Sequence, residues 1–146
     1  MNLSRVALAG FAAWVAFCLI GFLANAILMR ELYEAHMSFM RPEADANARL
    51  PLACAVSLVA FFAFSYAYAK GYEGGAGLQE GLRFGVLVSV LLIGFGLVWE
   101  FMVYPLSRTF LVARVVDTIV EFAIYGAIVG AIYKPRPAGA VRATIV

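Results

Sequence analysis

Residues 108–134 read RTFLVARVVDTIVEFAIYGAIVGAIYK, a stretch long and apolar enough to cross a bilayer as one helix although three charged residues lie inside it. On a helical wheel, one stripe holds Arg114, Asp117, Glu121 and Tyr125, and the opposite side holds Ile119, Ala123, Gly126 and Gly130. A charge at the centre of a membrane helix costs about 2.5–3.5 kcal/mol, so we expect the polar stripe to face other helices or trapped water. The stretch therefore predicts a spanning helix with a polar face and a small-residue face.

The composition of the whole chain fits the same environment. Of its 146 residues, 64% are hydrophobic and only 14% are charged, whereas a soluble domain carries about 25% charged residues. We expect a single integral membrane domain whose main partner is the lipid bilayer. The formal net charge of +2 is small and the basic residues are scattered, which argues against a nucleic-acid partner.

Four apolar stretches predict an all-α bundle of four transmembrane helices, at residues 6–29, 51–69, 84–104 and 110–133. We expect the first helix to continue one or two turns past Met29 and residues 43–49 to form a loop. Pro51 then suits the first turn of the second helix, where its missing N–H group costs nothing. Ser107 or Thr109 is placed to cap the fourth helix.

The N-terminus also resembles a secretory signal peptide, with Arg5 before an apolar run and an A-x-A pattern at residues 24–26. The apolar run is longer than a signal peptide needs, so we favour an uncleaved first helix. Cationic residues are more numerous on the side of the termini: Arg5, Lys70, Arg83, Lys134, Arg136 and Arg142. This bias predicts a multi-pass protein with both termini in the cytoplasm.

This topology predicts a polar pocket in the outer half of the bundle. Its candidate residues are Asn25, Glu100, Arg114, Asp117, Glu121 and Tyr125. Such a pocket suits a proton, a cation or the head of an amphipathic small molecule. The alternative interpretation is structural, with Arg114 neutralising Asp117 and Glu100 to fix the helical hairpin. We expect Glu121 to be neutral and to donate a hydrogen bond, because it is deep and has a carboxylate neighbour.

The glycines suggest a second class of function. Gly77, Gly81 and Gly85 recur every fourth residue, and Gly126 and Gly130 form a GxxxG pattern. Both patterns permit close helix packing, either within the bundle or across a dimer. The protein would then be an accessory subunit that docks to a membrane protein partner or forms a homo-oligomer.

Other chemistry finds little support in the sequence. Cys18 and Cys54 lie in separate apolar runs and are interpreted as packing residues, not as a disulfide or a metal pair. His36 is the only histidine and is expected to be solvated at the interface. We therefore predict no metal and no cofactor. No serine, histidine and aspartate arrangement suggests a catalytic nucleophile, so an enzyme is not favoured.

Two stretches carry a resemblance to known proteins: KGYEGGAGLQEGLRFG at residues 70–85 and VVDTIVEFAIYGAIVGAIYKP at residues 115–135. They resemble small four-helix inner-membrane proteins of bacteria that belong to families without an assigned activity. The resemblance implies a four-helix fold in the inner membrane and brings no catalytic residues with it.

Overall fold

The computed structural model describes residues 1–133, which contain helices and connecting turns but no strand. Four helices are long and apolar enough to cross a membrane: α1 (Leu3–Leu28), α2 (Glu43–Lys70), α3 (Gly77–Val103) and α4 (Arg108–Ile132). Two of them contain a π-helical turn, at Ala24–Leu28 in α1 and Ile93–Leu97 in α3. A short helix, Arg30–Glu34, and a 3₁₀ turn, Met37–Phe39, connect α1 to α2. The predicted all-α protein with four helices of spanning length is confirmed.

The four helices alternate in direction. Residues 29–42 and the turn at 104–107 therefore lie together at what we call the connector end, and the N-terminus and residues 71–76 lie at the opposite, terminal end. α4 packs between α1 and α3, and α1 packs between α2 and α4. Aromatic contacts such as that of Phe64 with Phe84 join α2 to α3, with ring centroids 4.9 Å apart.

The closest helix contact is between α3 and α4, and glycines line both sides of it. A Cβ atom on Gly81 would overlap the carbonyl oxygen of Gly126, and one on Gly77 would overlap that of Gly130. Gly85 lies equally close to the backbone of Phe122. The two small-residue faces therefore meet within one chain, with the backbones in direct contact.

The core fills the half of the bundle nearer the terminal end. Phe61 and Tyr68 of α2 pack there against Tyr125 and Val129 of α4, and all four side chains are buried. Ser65 fastens α2 to α1 through a hydrogen bond from its hydroxyl to the carbonyl oxygen of Val6, 2.8 Å long. The outer surface is apolar and exposes large side chains along every helix, including Leu19, Val59, Leu87, Phe95 and Val120.

The predicted start of the second helix is wrong. α2 begins at Glu43, so residues 43–49 are helical and Pro51 lies inside the helix. Asp45 pairs with both Arg41 and Arg49, each four residues away, and such pairs stabilise a helix. Acidic residues in the first turn also favour the helix N-terminus. These interactions offset part of the cost of the backbone hydrogen bond that Pro51 cannot donate.

The other helix ends differ from the prediction less. α1 ends in its π turn at Leu28 and the chain bends at Met29, so residues 30–34 form a separate helix instead of a continuation. α3 begins at Gly77, seven residues before the predicted start at residue 84. Ser107 caps α4 by accepting a hydrogen bond from the Phe110 N–H, as predicted. The predicted orientation used cationic residues 134, 136 and 142, which lie outside the described residues.

His36 is not solvated as predicted; it is buried and joins the two connections at the connector end. Its Nε2 accepts a hydrogen bond from the Ser107 N–H at 3.2 Å. Its Nδ1 lies 2.7 Å from the carbonyl oxygen of Leu32, so the neutral ring donates there. The ring also packs against Phe110. Residues 29–42 are thereby held against the start of α4.

We predict that His36→Ala lowers the free energy of unfolding by about 1–3 kcal/mol, because a hydrogen bond and a buried ring contact are both lost. His36→Gln should recover part of this loss, since its amide can still accept from Ser107. Thermal unfolding in mild detergent measures the effect. Met37→Ala is the control because the Met37 side chain is exposed. Equal midpoints for His36→Ala and Met37→Ala would contradict the prediction.

Candidate functional site

A cavity of about 580 Å³ opens between α1, α2 and α4 in the half of the bundle nearer the connector end. This volume is in the range of small-molecule sites. Its lining comes from α1 (Phe17, Cys18, Gly21, Phe22, Asn25), the connecting helix (Tyr33), α2 (Leu50, Cys54) and α4 (Arg114, Asp117, Thr118, Glu121, Phe122). The polar stripe of α4 thus faces protein and a cavity, as its cost in lipid requires.

Arg114 and Asp117 neutralise each other within the stripe. The Arg114 Nη1 atom lies 3.2 Å from Asp117 Oδ2, and the two side chains are 28% and 14% exposed. The spacing of three residues places both groups on one helix face. The Thr118 hydroxyl donates a hydrogen bond to the carbonyl oxygen of Arg114 in the same helix, so it does not need a partner in the cavity. These contacts leave Glu121 as the acidic group of the cavity that has no cation of its own among the described residues.

Glu121 lines the cavity with only 9% of its surface exposed, and its Oε1 atom is buried without a hydrogen-bond partner in the described residues. Tyr125, one turn further along α4, is fully buried. Its hydroxyl lies within interacting distance of the Glu121 carboxylate, but neither this hydroxyl nor Glu121 Oε1 has a hydrogen-bond partner of good geometry among the described residues. Leaving a buried polar atom unpaired costs about 1–3 kcal/mol. Folded proteins contain few such atoms, and those that occur need a functional or structural explanation.

Asn25 and Tyr33 form the rim of the cavity at the connector end. The Tyr33 hydroxyl donates to Asn25 Oδ1 at 2.7 Å, and Asn25 Nδ2 donates to the carbonyl oxygen of Gly21 at 2.7 Å. Burial raises the pKa of Tyr33, so its hydroxyl stays protonated and remains a donor. The π turn of α1 includes Asn25, and such turns often occur at functional sites.

The structure brings together most of the residues predicted for the pocket. Asn25, Arg114, Asp117 and Glu121 line one cavity, and Tyr125 lies buried next to Glu121 without lining it. Glu100 is exposed on α3 and does not line the cavity. The reason is that α3 packs on the glycine face of α4, on the side opposite the polar stripe. The third wall is instead α2.

Sequence reasoning did not assign two groups to this site. Cys18 and Cys54 both line the cavity, from α1 and α2, and their thiols lie within interacting distance of each other. The rings of Phe17, Phe22 and Phe122 supply apolar wall. Nothing in the sequence indicates that the cysteines or the phenylalanine rings line the cavity. The hydrophobic pattern within one helix does not determine which of its residues contact a second helix. Among residues 1–133, no group of three or more histidine, cysteine, aspartate or glutamate side chains is placed to hold a metal ion.

No protein-family model, no curated protein and no solved structure matches the chain, so the resemblance to bacterial inner-membrane proteins rests on the two quoted stretches alone.

Proposed function

We propose that this chain is a multi-pass membrane protein of the bacterial inner membrane with both termini in the cytoplasm. Four apolar helices support this proposal. They are 25–28 residues long, and each is longer than the roughly 20 residues that a bilayer requires. The exposed surface of the bundle is rich in leucine, valine and phenylalanine, which suits lipid better than water. The excess of cationic residues on the terminal side supports the orientation.

We propose further that the cavity binds a small molecule with a cationic or hydrogen-bond-donating head and an apolar body. The observation that carries this proposal is the buried, unpaired Oε1 atom of Glu121 in the cavity wall. Glu121 is the acceptor for the head, because Asp117 is already paired with Arg114. In this proposal Glu121 is ionised when the head is bound, unlike the neutral, hydrogen-bond-donating state expected from the sequence. Aromatic rings around the cavity accept the apolar body, and a ring face attracts a cation.

The packing below the cavity supports binding over conduction. Tyr125 and Val129 are completely buried in the half of the bundle nearer the terminal end, and Phe61 is nearly so. The rings of Phe61 and Tyr125 pack edge to face, with centroids 5.3 Å apart. A proton or ion that reached Glu121 would therefore meet close-packed side chains on the way to the terminal end.

The alternative proposal, an accessory subunit that docks through its glycine faces, has less support. Gly81 and Gly126 are buried against each other within the chain, so neither offers its backbone to a partner. A membrane protein partner or a second copy would have to bind the lipid-facing surface instead.

Native mass spectrometry of the protein released from mild detergent tests the binding proposal. We expect the wild type to retain a bound small mass and Glu121→Gln to lose it, because a charge-assisted hydrogen bond contributes about 1.5–3 kcal/mol, or roughly 10–100-fold in affinity. Glu100→Gln is the matched control, since Glu100 lies outside the cavity lining and should leave the bound mass unchanged. A wild type without bound mass, or a Glu121→Gln variant that keeps it, would contradict the proposal.

A further inference from the structure

Cys18 and Cys54 form a pair of free thiols in the wall of the cavity. One comes from α1 and the other from α2, and neither is in a disulfide. Both are partly buried, and their thiols lie within interacting distance. The ligand binding proposed for Glu121 does not involve these thiols.

The helix contact beside this pair is fixed by a separate interaction. Trp14, one turn before Cys18, donates its indole N–H to the hydroxyl of Ser57 at 3.0 Å. Ser57 in turn donates to the carbonyl oxygen of Cys54 at 2.9 Å. This chain of hydrogen bonds holds α1 against α2 at the level of the thiols. The contact between the two helices that carry the thiols is thus formed by the fold itself, without a ligand.

The chemistry of the pair selects one class of ligand. Thiolate sulfur prefers soft metal ions, of which Cu(I) is the monovalent example. A zinc site would need about four ligands, and no group of three candidate ligand residues occurs in the described part of the chain.

We propose that Cys18 and Cys54 form a two-sulfur binding site for a monovalent soft metal ion of the Cu(I) class. Each thiol releases its proton to water when its sulfur binds the ion, and no electron is transferred. The resulting site carries one net negative charge, in the wall of a cavity that Arg114 also lines. This proposal does not rest on ligand binding by Glu121.

Titration of the purified full-length protein with Cu(I), under oxygen-free reducing conditions and against a chromogenic Cu(I) chelator, tests the site. We expect one copper ion per chain for the wild type and no measurable competition with the chelator for Cys18→Ser or Cys54→Ser. Circular dichroism should show that both variants keep their helix content, since serine closely matches cysteine in size. Binding that survives either substitution, or a wild type that binds no copper, would overturn the proposal.

Two further variants separate this site from the one proposed above. Glu121→Gln should bind copper like the wild type, even if it no longer retains the small molecule. Trp14→Phe removes the hydrogen bond to Ser57 but leaves both sulfur atoms. It should weaken copper binding by about tenfold, the low end of the range for groups around a metal site, because Ser57 bonds the carbonyl oxygen of Cys54 and not its sulfur. Unchanged affinity in Trp14→Phe would overturn the part of the proposal that assigns the positioning to the Trp14 contact.

Discussion

Replacing Gly126 with leucine is expected to prevent α3 from packing on α4. The carbonyl oxygen of Gly81 occupies the space where a Cβ atom on Gly126 would lie, and Gly85 backbone atoms lie 2.8 Å from that same point. Adding side-chain atoms to a packed core costs about 1–3 kcal/mol when neighbouring side chains can shift. Here the neighbours are backbone atoms of a helix, which must move as a unit, so we expect a cost at or above the top of that range.

A graded series makes this prediction specific. Gly126→Ala and Gly81→Ala should lower the thermal midpoint in detergent, and Gly126→Leu should abolish a cooperative transition or yield aggregated protein on size exclusion. Gly94→Ala is the matched control, because it lies in the same helix as Gly81 but nothing is within 4 Å of its Cβ position. If Gly126→Ala and Gly94→Ala unfold at the same temperature, the close α3–α4 contact is not part of the native fold.

Much of this fold could be predicted because apolar length is a property of single segments. A helix must satisfy its backbone in lipid by itself, so roughly 20 apolar residues suffice to indicate each one. The start of α2 was missed for a related reason. Apolar content does not report the ion pairs of Asp45 with Arg41 and Arg49, although their spacing of four residues was visible in the sequence.

The site was less predictable because it depends on how the helices face one another. The wheel correctly groups Arg114, Asp117 and Glu121, since they share one helix. The same wheel places the glycines of α4 on the opposite side, and this argues that α3 cannot also reach the polar stripe. Glu100 was nevertheless assigned to the pocket from its depth alone. The depth of a residue in the membrane follows from its position along the helix. The direction in which its side chain points depends on how the helices pack against one another.

The proximity of Cys18 and Cys54 could not be predicted for the same reason, although here two residues were left out of the site instead of being wrongly included. Their positions along α1 and α2 indicate only that both are in apolar runs. Which residues meet across the two helices is set by contacts such as the hydrogen bonds from Trp14 to Ser57 and from Ser65 to Val6. Neither contact has a signature in a single sequence.

The second large effect is expected at the Arg114–Asp117 pair. Arg114→Met leaves Asp117 without its cation, in the wall of a cavity that already contains the unpaired carboxyl group of Glu121. Removing one partner of a buried ion pair costs about 3–5 kcal/mol, and we expect the lower end of that range because Arg114 is 28% exposed. Asp117→Leu should cost less, since Arg114 then retains Glu121 as an acidic neighbour on the same stripe.

A variant with both residues replaced separates the loss of charge compensation from the loss of side-chain packing. Apolar replacement of both partners of a buried pair is often neutral or stabilising, so Arg114→Met with Asp117→Leu should recover most of the stability that Arg114→Met loses. Chemical unfolding of the four proteins gives the coupling between the two sites. The exposed pair of Arg30 with Glu34, at 2.7 Å, is the control, and its removal should have little measurable effect.

A double variant as unstable as Arg114→Met alone would mean that Asp117 does not depend on Arg114. The argument that Glu121 is the available acceptor of the cavity would then lose its basis, because that argument requires Asp117 to be neutralised already.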